Sequence, residues 1–242
     1  MGLNPSKGKT RYKETGGQKM LNKAKGGMYD FVDFTWNTVK GACPHGCTYC
    51  YMRRFGEQKP VHFDEREMKT DLGKGNFIFV GSSCDMFAEA IPGDWIVNTL
   101  TKCQGYGNRY LFQSKNPERM RRYLSEGCGW LTREAVACTT LETNRWYPEI
   151  MHNSPNVAWR VDGMSRLVGI PHYITIEPIL DFDLEIFVDW IKRCEPVQVN
   201  IGADSGNNHL PEPPREKVLA LIEELWKFTT LVGKTNLRRL LK

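Results

Sequence analysis

Short apolar or alternating runs recur along this chain, and longer amphipathic stretches separate them. The run Phe77-Ile78-Phe79-Val80 is continuously apolar and leads into Gly81, a pattern typical of a buried parallel strand that opens into a loop. Periodicity and β-branched or aromatic content predict six strands. They cover residues 29–37, 76–80, 109–113, 135–140, 172–176 and 197–201.

The stretches between these strands have helical patterns. Asp94 is a candidate cap for a helix that runs to about Cys103. Asn116 followed by Pro117 predicts a second helix start, and Gly127 predicts its end. Apolar positions at helical spacing indicate two more helices, around residues 184–191 and 218–225. Strands that alternate with helices imply an α/β fold with a mainly parallel sheet and right-handed crossovers.

Three cysteines follow the first predicted strand. Cys43, Cys47 and Cys50 have the spacing C-x3-C-x2-C, and no other cysteine lies close to them in the sequence. Thiolates are the usual ligands of iron–sulfur clusters, and simple electron-transfer clusters normally have four of them. Three cysteines therefore predict a four-iron cluster with one open iron.

Zinc and disulfides are the alternative uses of these cysteines. Structural zinc sites usually have two separated ligand pairs, and here only His45 offers a nearby fourth ligand. Disulfides are disfavoured by 8 cysteines in 242 residues and by the lack of an apolar signal segment. We therefore expect a reducing compartment, the cytoplasm.

Polar residues follow each predicted strand, and in parallel α/β folds the active-site residues lie at these C-terminal strand ends. The first strand is followed by the three cysteines. The second to sixth strands are followed, in order, by Ser82, Ser83, Cys84 and Asp85; by Ser114 and Lys115; by Thr140 and Glu142; by Glu177; and by Asp204 and Ser205.

With Tyr49 as the aromatic residue before Cys50, the cysteine motif resembles the signature of the radical S-adenosylmethionine (AdoMet) superfamily. That resemblance covers most of residues 29–228 and implies a partial (β/α)6 barrel. Further segments are similar to a phage- and bacterium-encoded subfamily of unknown function. They are Thr35-Trp36-Asn37, 81–87, 114–120, 176–180 and 201–206.

The resemblance implies a cofactor pair. Cys43, Cys47 and Cys50 would bind a [4Fe-4S] cluster, and AdoMet would chelate its open iron. One electron, from a flavodoxin- or ferredoxin-like donor, would release a 5′-deoxyadenosyl radical that takes hydrogen from a substrate. The residues expected to contact AdoMet are Tyr49, Ser82, Ser83, Asp85, Ser114, Lys115, Thr140 and Glu142. The alternative for the serine and threonine hydroxyls is a hydrogen bond to the backbone at the strand end, which is common for these residues.

Three further residues are candidate catalytic groups. Glu177, followed by Pro178, and Asp204 suit substrate binding, ribose orientation or pairing with a nearby arginine. Cys84 can return a hydrogen atom to the product, as in the DNA photoproduct-repair branch of the superfamily. A free cysteine is otherwise commonly a small buried hydrophobe.

Charge divides the chain into three regions. Residues 1–28 form a glycine-rich arm with net charge +6, and residues 234–242 form a tail with net charge +4. The body, residues 29–233, therefore carries −5 of the total +5. Basic ends are compatible with contacts to a phosphate backbone, but solvated termini fit equally. No apolar run approaches the ~20 residues of a membrane span, so no membrane partner is expected.

We therefore expect a radical AdoMet enzyme that acts on a nucleobase or modified pyrimidine in DNA. Trp130, Trp146, Tyr147 and Trp159 are candidate stacking residues, and Arg121 and Arg122 are candidate phosphate contacts. A peptide or small metabolite is the alternative substrate. A non-catalytic metal-binding adaptor is the alternative class of protein.

Overall fold

The computed structural model describes residues 19–25, 28–127 and 134–242, and the statements below concern these residues. Residues 1–18 of the predicted arm and the candidate stacking residue Trp130 lie outside them. The strands in chain order are β1 (Lys19–Met20), β2 (Asn22–Lys23), β3 (Phe34–Trp36), β4 (Val39–Lys40), β5 (His62–Phe63), β6 (Thr70–Asp71), β7 (Phe77–Val80), β8 (Arg109–Gln113), β9 (Ala135–Thr140), β10 (His172–Ile176), β11 (Gln198–Ile201) and β12 (Thr230–Gly233).

Eight of these strands form the main sheet, in the order β12-β11-β10-β9-β8-β7-β3-β2. All neighbours pair in parallel except β2 and β3. The mainly parallel α/β sheet is thus confirmed, with all six predicted strands in chain order. Its two outer strands, β2 and β12, do not pair with each other, so the finer prediction of a partial barrel stays a prediction.

Two details of the predicted strands are corrected. The first strand is shorter than expected, because residues 29–33 turn over the sheet instead of extending it. There Tyr29 and Phe31 stack at 5.1 Å between ring centroids, and Phe31 meets Tyr173 edge to face. The final strand, β12, was not predicted, although its four residues pair fully with β11.

The helices in chain order are α1 (Gly93–Gln104), α2 (Pro117–Arg121), α3 (Pro148–Met151), α4 (Val157–Ser165), α5 (Leu184–Arg193) and α6 (Arg215–Trp226). Asn116 caps α2 as predicted, accepting a hydrogen bond from Arg119 N at 3.2 Å. Pro92 occupies the cap position of α1, so Asp94 instead lies in its first turn, where a carboxylate favours the helix dipole. The short α3 and α4 were not predicted.

The two faces of the sheet are filled differently. Ile78 and Val80 point to the face covered by the helices and join the large core there. Phe77 and Phe79 point to the opposite, inner face, where a smaller cluster forms with Leu111 and neighbouring residues. This alternation follows from the two-residue period of a strand. The inner face therefore carries an apolar cluster, and polar groups can occupy the C-terminal ends of its strands.

The predicted C-terminal tail, residues 234–242, is packed against this body. Residues Thr235–Leu240 form a 3-10 helix, and Leu237 is buried. Lys234 Nζ lies 2.7 Å from Glu177 Oε2 at the end of β10. No helix in the described part of the chain is long and apolar enough to cross a membrane.

Candidate functional site

A cavity of about 1230 Å³ lies at the C-terminal ends of the parallel strands. Of the fourteen residues predicted for the site, twelve line it. They are Cys43, Cys47, Tyr49, Cys50, Ser82, Ser83, Cys84, Asp85, Lys115, Thr140, Glu177 and Asp204. Ser114 and Glu142 lie outside the wall and contact residues that form it. The topology therefore brings the predicted strand-end residues together.

The cysteine loop is a series of tight turns between β4 and the 3-10 helix Tyr51–Phe55. Gly46 N donates to Cys43 O at 3.1 Å, and Gly46 has φ +67°, a conformation that favours glycine. Cys50 N donates to Cys47 O at 3.3 Å. All three thiols are free and face one cavity, with Cys47 buried and the other two half-buried.

The donor set fits an iron–sulfur cluster. No group of three or more His, Cys, Asp or Glu side chains among the described residues converges on a single metal-ion position. A four-iron cluster needs less convergence, because each thiolate binds a different iron. The pKa values of the cysteine thiols also differ among these ligands. A hydrogen bond from Cys84 lowers the pKa of Cys43 to about 6, whereas burial raises that of Cys47.

Cys84 is the cysteine that the tertiary structure adds to this loop. Its buried thiol lies beside Cys43, and this interaction together with burial raises the pKa of Cys84. The sequence places no fourth cysteine near the motif, but the turn after β7 brings this one beside it. The structure therefore gives Cys84 a contact with a predicted cluster ligand in addition to its place in the cavity wall.

Asp85 organises the loops after β7 and β8. Its Oδ2 lies 2.8 Å from His45 Nε2 and accepts hydrogen bonds from Ser114 Oγ (3.0 Å) and Lys115 N (2.8 Å). Burial alone would raise the pKa of Asp85, but His45 and these donors outweigh it and lower the pKa. Asp85 therefore links the cysteine loop to the loop after β8. No local pattern in the sequence indicates the pairing of Asp85 with His45.

A buried ion pair supports Tyr49. Arg160 Nη1 on α4 lies 2.8 Å from Glu142 Oε2, and both side chains are fully buried. The other carboxylate oxygen of Glu142 accepts a hydrogen bond from the Tyr49 hydroxyl and lies 3.7 Å from Lys115 Nζ. Burial raises the pKa of Glu142, but Arg160 and Lys115 outweigh it and lower the pKa. A direct contact between Glu142 and AdoMet stays a prediction, and the structure gives this carboxylate a positioning task.

Asn37 holds the serines after β7. Its Oδ1 accepts hydrogen bonds from Ser82 Oγ at 3.2 Å and from Ser83 N at 3.0 Å. Asn37 itself lines the cavity at the end of β3. This contact fixes the loop of Ser82 and Ser83, both of which are predicted to contact AdoMet.

Glu177 forms the opposite part of the cavity together with the end of β12. Lys234 Nζ lies 2.7 Å from Glu177 Oε2, and Asn236 Nδ2 donates to Oε1 at 3.4 Å. A Cβ atom at Gly202 would come within 2.9 Å of three atoms of the Glu177 side chain. Gly202 therefore gives Glu177 room between neighbouring strand ends. Lys234 and Asn236 were missed as site residues because β12 was not predicted.

A polar row crosses the sheet between these two parts. The buried Tyr29 hydroxyl lies 3.0 Å from Gln113 Oε1 and 2.9 Å from Thr175 Oγ1. Gln113 Nε2 donates to Thr140 Oγ1 at 3.2 Å. Lys234 Nζ lies 4.8 Å from the centre of the Tyr29 ring. Thr140, predicted to contact AdoMet, thus faces the cavity within a hydrogen-bonded network.

Asp204 shapes the loop after β11. Its Oδ1 accepts hydrogen bonds from Gly206 N at 2.9 Å and from Asn208 Nδ2 at 2.6 Å. The residue is buried yet borders the cavity. These contacts give the carboxylate a local structural task, and its catalytic role stays a prediction.

Comparison with known proteins identifies the family. Residues 28–216 match the model of a family described as "Protein of unknown function (DUF5131)". The chain belongs to the DUF5131 family. No curated protein matches this DUF5131 chain significantly.

Solved structures show the same fold. One is a spore photoproduct lyase variant with bound AdoMet and dinucleoside spore photoproduct, at TM-score 0.55 and 10% identity over 86% of this chain. A second spore photoproduct lyase variant, with dinucleoside spore photoproduct, has the same TM-score and identity. The matches span 64% and 67% of those longer chains. At this identity, the similarity establishes the fold alone.

Proposed function

We propose that this DUF5131 protein is a radical AdoMet enzyme that acts on a nucleobase, or a modified pyrimidine, in DNA. One observation carries the proposal. The three thiols of Cys43, Cys47 and Cys50 line the same cavity as the loops after β7, β8 and β9. That cavity lies at the C-terminal edge of a sheet with the fold of an AdoMet-bound structure.

When bound, a [4Fe-4S] cluster with AdoMet supplies one-electron cleavage of the sulfonium and a radical that abstracts hydrogen from an unactivated carbon. The three cysteines would hold the cluster. The chain offers acceptors for the AdoMet amino group in the loop held by Asn37, at Ser82 and Ser83. Lys115, whose side chain is 16% exposed in the cavity wall, offers a cation for the carboxylate of AdoMet.

The remaining polar groups would bind the substrate. Glu177 and Lys234 place an acceptor and a donor side by side, as the amide edge of a pyrimidine requires. The neighbouring structures contain a dinucleoside photoproduct, which supports a nucleobase substrate. A flavodoxin- or ferredoxin-like protein is the proposed electron donor.

Anaerobic reconstitution with iron and sulfide tests the cofactor part of the proposal. We expect a brown protein with absorption near ~400 nm and a reduced EPR signal that changes when AdoMet is added. With dithionite as reductant, 5′-deoxyadenosine should form. Bound zinc without 5′-deoxyadenosine would contradict the proposal and favour the adaptor alternative.

Product identification tests the substrate part. Transfer of deuterium from a deuterium-labelled oligonucleotide into 5′-deoxyadenosine would show that the radical abstracts hydrogen from DNA. Mass spectrometry of the digested DNA would then identify the modified base. Transfer from a peptide or small metabolite, with none from DNA, would leave radical chemistry intact and reject the nucleobase.

A further inference from the structure

The open edge of the cavity carries a group of exposed cations. Lys23 and Lys25, at the β2 edge of the sheet, line one part of it. Arg53 and Arg54, in the 3-10 helix after the cysteine loop, line another. Glu57 is the one exposed acidic residue among the described residues that line the cavity. The exposed charged groups of this wall therefore sum to +3.

These cations are available to a ligand. Within the described residues, none of the four forms an ion pair with a carboxylate. Arg53 has only a 3.4 Å hydrogen bond to Gly46 O. The acids deeper in the cavity already have partners: Asp85 is paired with His45, Glu177 with Lys234, and the Asp204 carboxylate accepts hydrogen bonds from its own loop. The positive charge at the edge is thus not neutralised from within.

Exposed aromatic rings lie among the cations. Phe55 is 61% exposed and Tyr51 39% exposed, and the two rings meet edge to face at 6.4 Å. The Arg54 guanidinium packs over both rings, at 5.5 Å and 5.0 Å from their centres. The Tyr51 hydroxyl donates to Ser82 O at 2.8 Å, which fixes the helix to the loop after β7. The rings therefore form an anchored platform rather than a free loop.

We infer that this group, Lys23, Lys25, Arg53, Arg54 and Phe55, hereafter the basic mouth, binds an unpaired strand of nucleic acid at the entrance to the cavity. Cations that follow a phosphate backbone and an exposed ring for base stacking are the two elements of single-strand recognition. A stacking ring requires a base that is not paired within a duplex. The strand would present one base to the cavity while its neighbours lie on the mouth.

Part of this position was predicted from the sequence, because Lys23 and Lys25 belong to the basic arm, residues 1–28, whereas Arg53, Arg54 and Phe55 were not predicted. Of the four C-terminal cations, Lys234 is paired with Glu177, and Arg239 with Glu212. Trp146, Tyr147 and Trp159 do not line the cavity. Apart from Lys23 and Lys25, the exposed cations and rings that border the cavity among the described residues are next to the cysteine loop. The inference rests on the proposed function, because it supplies the docking surface for its nucleobase substrate.

Fluorescence anisotropy with the full-length, reconstituted protein tests the inference. The probe is a labelled 12-nucleotide oligothymidylate, with an oligouridylate to distinguish DNA from RNA and a blunt duplex of equal length for comparison. Arg53→Ala/Arg54→Ala should weaken single-strand binding about tenfold at low salt. It should also reduce the slope of log K against log salt by about 1.4, the value for two phosphate contacts on a single strand.

Three further variants make the test specific. Phe55→Ala should weaken binding about tenfold with an unchanged salt slope, because stacking releases no counterions. Arg53→Lys/Arg54→Lys should retain most of the binding. Arg238→Ala/Lys242→Ala removes the same charge from the exposed C-terminal segment and should change affinity less than twofold.

Equal losses in the two double alanine variants, or equal affinity for duplex and single strand, would overturn the inference. Failure here is distinguishable from failure of the proposed function. Binding is measured without AdoMet cleavage, and 5′-deoxyadenosine formation is measured without an oligonucleotide.

Discussion

The two halves of the cavity are built in different ways. In the half with the cysteines, polar side chains hydrogen-bond to neighbouring loops, as Asn37 does to Ser83 N and Asp85 to Lys115 N. In the half with Glu177, the main contact is the Glu177–Lys234 ion pair, whose side chains are 20% and 16% exposed. The first half therefore has a shape fixed by the protein. The second half has charged groups that can exchange their partner for a ligand. A fixed shape suits a bound cofactor, and exchangeable charged groups suit a substrate that binds and leaves.

The largest effect is expected from substitutions of the cysteines. Cys43→Ala should abolish the ~400 nm absorption and all 5′-deoxyadenosine formation, because the cluster loses one of three ligands. Cys84→Ala is the matched control, since Cys84 is the buried thiol beside Cys43. It should retain about four irons per chain. The reduction potential of the cluster should fall, because the thiol beside the Cys43 ligand sulfur is removed. Loss of iron in Cys84→Ala would show a fourth ligand and a closed cluster.

The second test compares the two ion pairs. Arg160→Met should lower the free energy of unfolding by about 3–5 kcal/mol, because it leaves the Glu142 carboxylate buried without its main cation. Lys234→Met should cost about 1 kcal/mol or less, because solvent reaches the Glu177 pair. Urea denaturation of both variants measures the difference. Equal costs would show that the half with Glu177 is as rigid as the half with the cysteines.

The third test separates cofactor from substrate. Lys234→Met should reduce substrate-dependent turnover about 10- to 100-fold, equivalent to about 1.4–2.7 kcal/mol, through the loss of one charged hydrogen bond. Cleavage of AdoMet without substrate should stay within about twofold. Lys234→Arg serves as the control and should retain most of the turnover. An equal fall in both activities would place Lys234 with the cofactor.

The smallest expected effect is an acid sensitivity of the half with the cysteines. The folded pKa of Glu142 is lowered from 4.5, so the unfolded state binds more protons in this range. Its stabilising contribution is present above pH 4.5 and is lost as pH falls through the folded pKa. Thermal unfolding between pH 6 and pH 3 should show this loss. Glu142→Gln should flatten the dependence, and an unchanged slope would contradict the assignment.

Much of the fold could be predicted because its signals are local. The apolar run of β7 and the cap formed by Asn116 depend on neighbouring residues, and both were confirmed. The strand β12 was missed, since four residues between a helix and a basic segment have little periodicity. The start of β3 was misplaced because the alternating aromatic residues Tyr29 and Phe31 stack on each other over the sheet.

The α/β order, the cysteine spacing and the polar residues at strand ends can be read from the sequence alone, because each depends on residues close together in the chain. Tertiary structure decided the partners: Cys84 beside Cys43, Asp85 with His45, and Lys234 with Glu177. All three pairs join residues 40 or more positions apart, and Glu177 and Lys234 are 57 positions apart. No local pattern encodes such contacts, since they exist only when the parallel strands bring their ends to one edge.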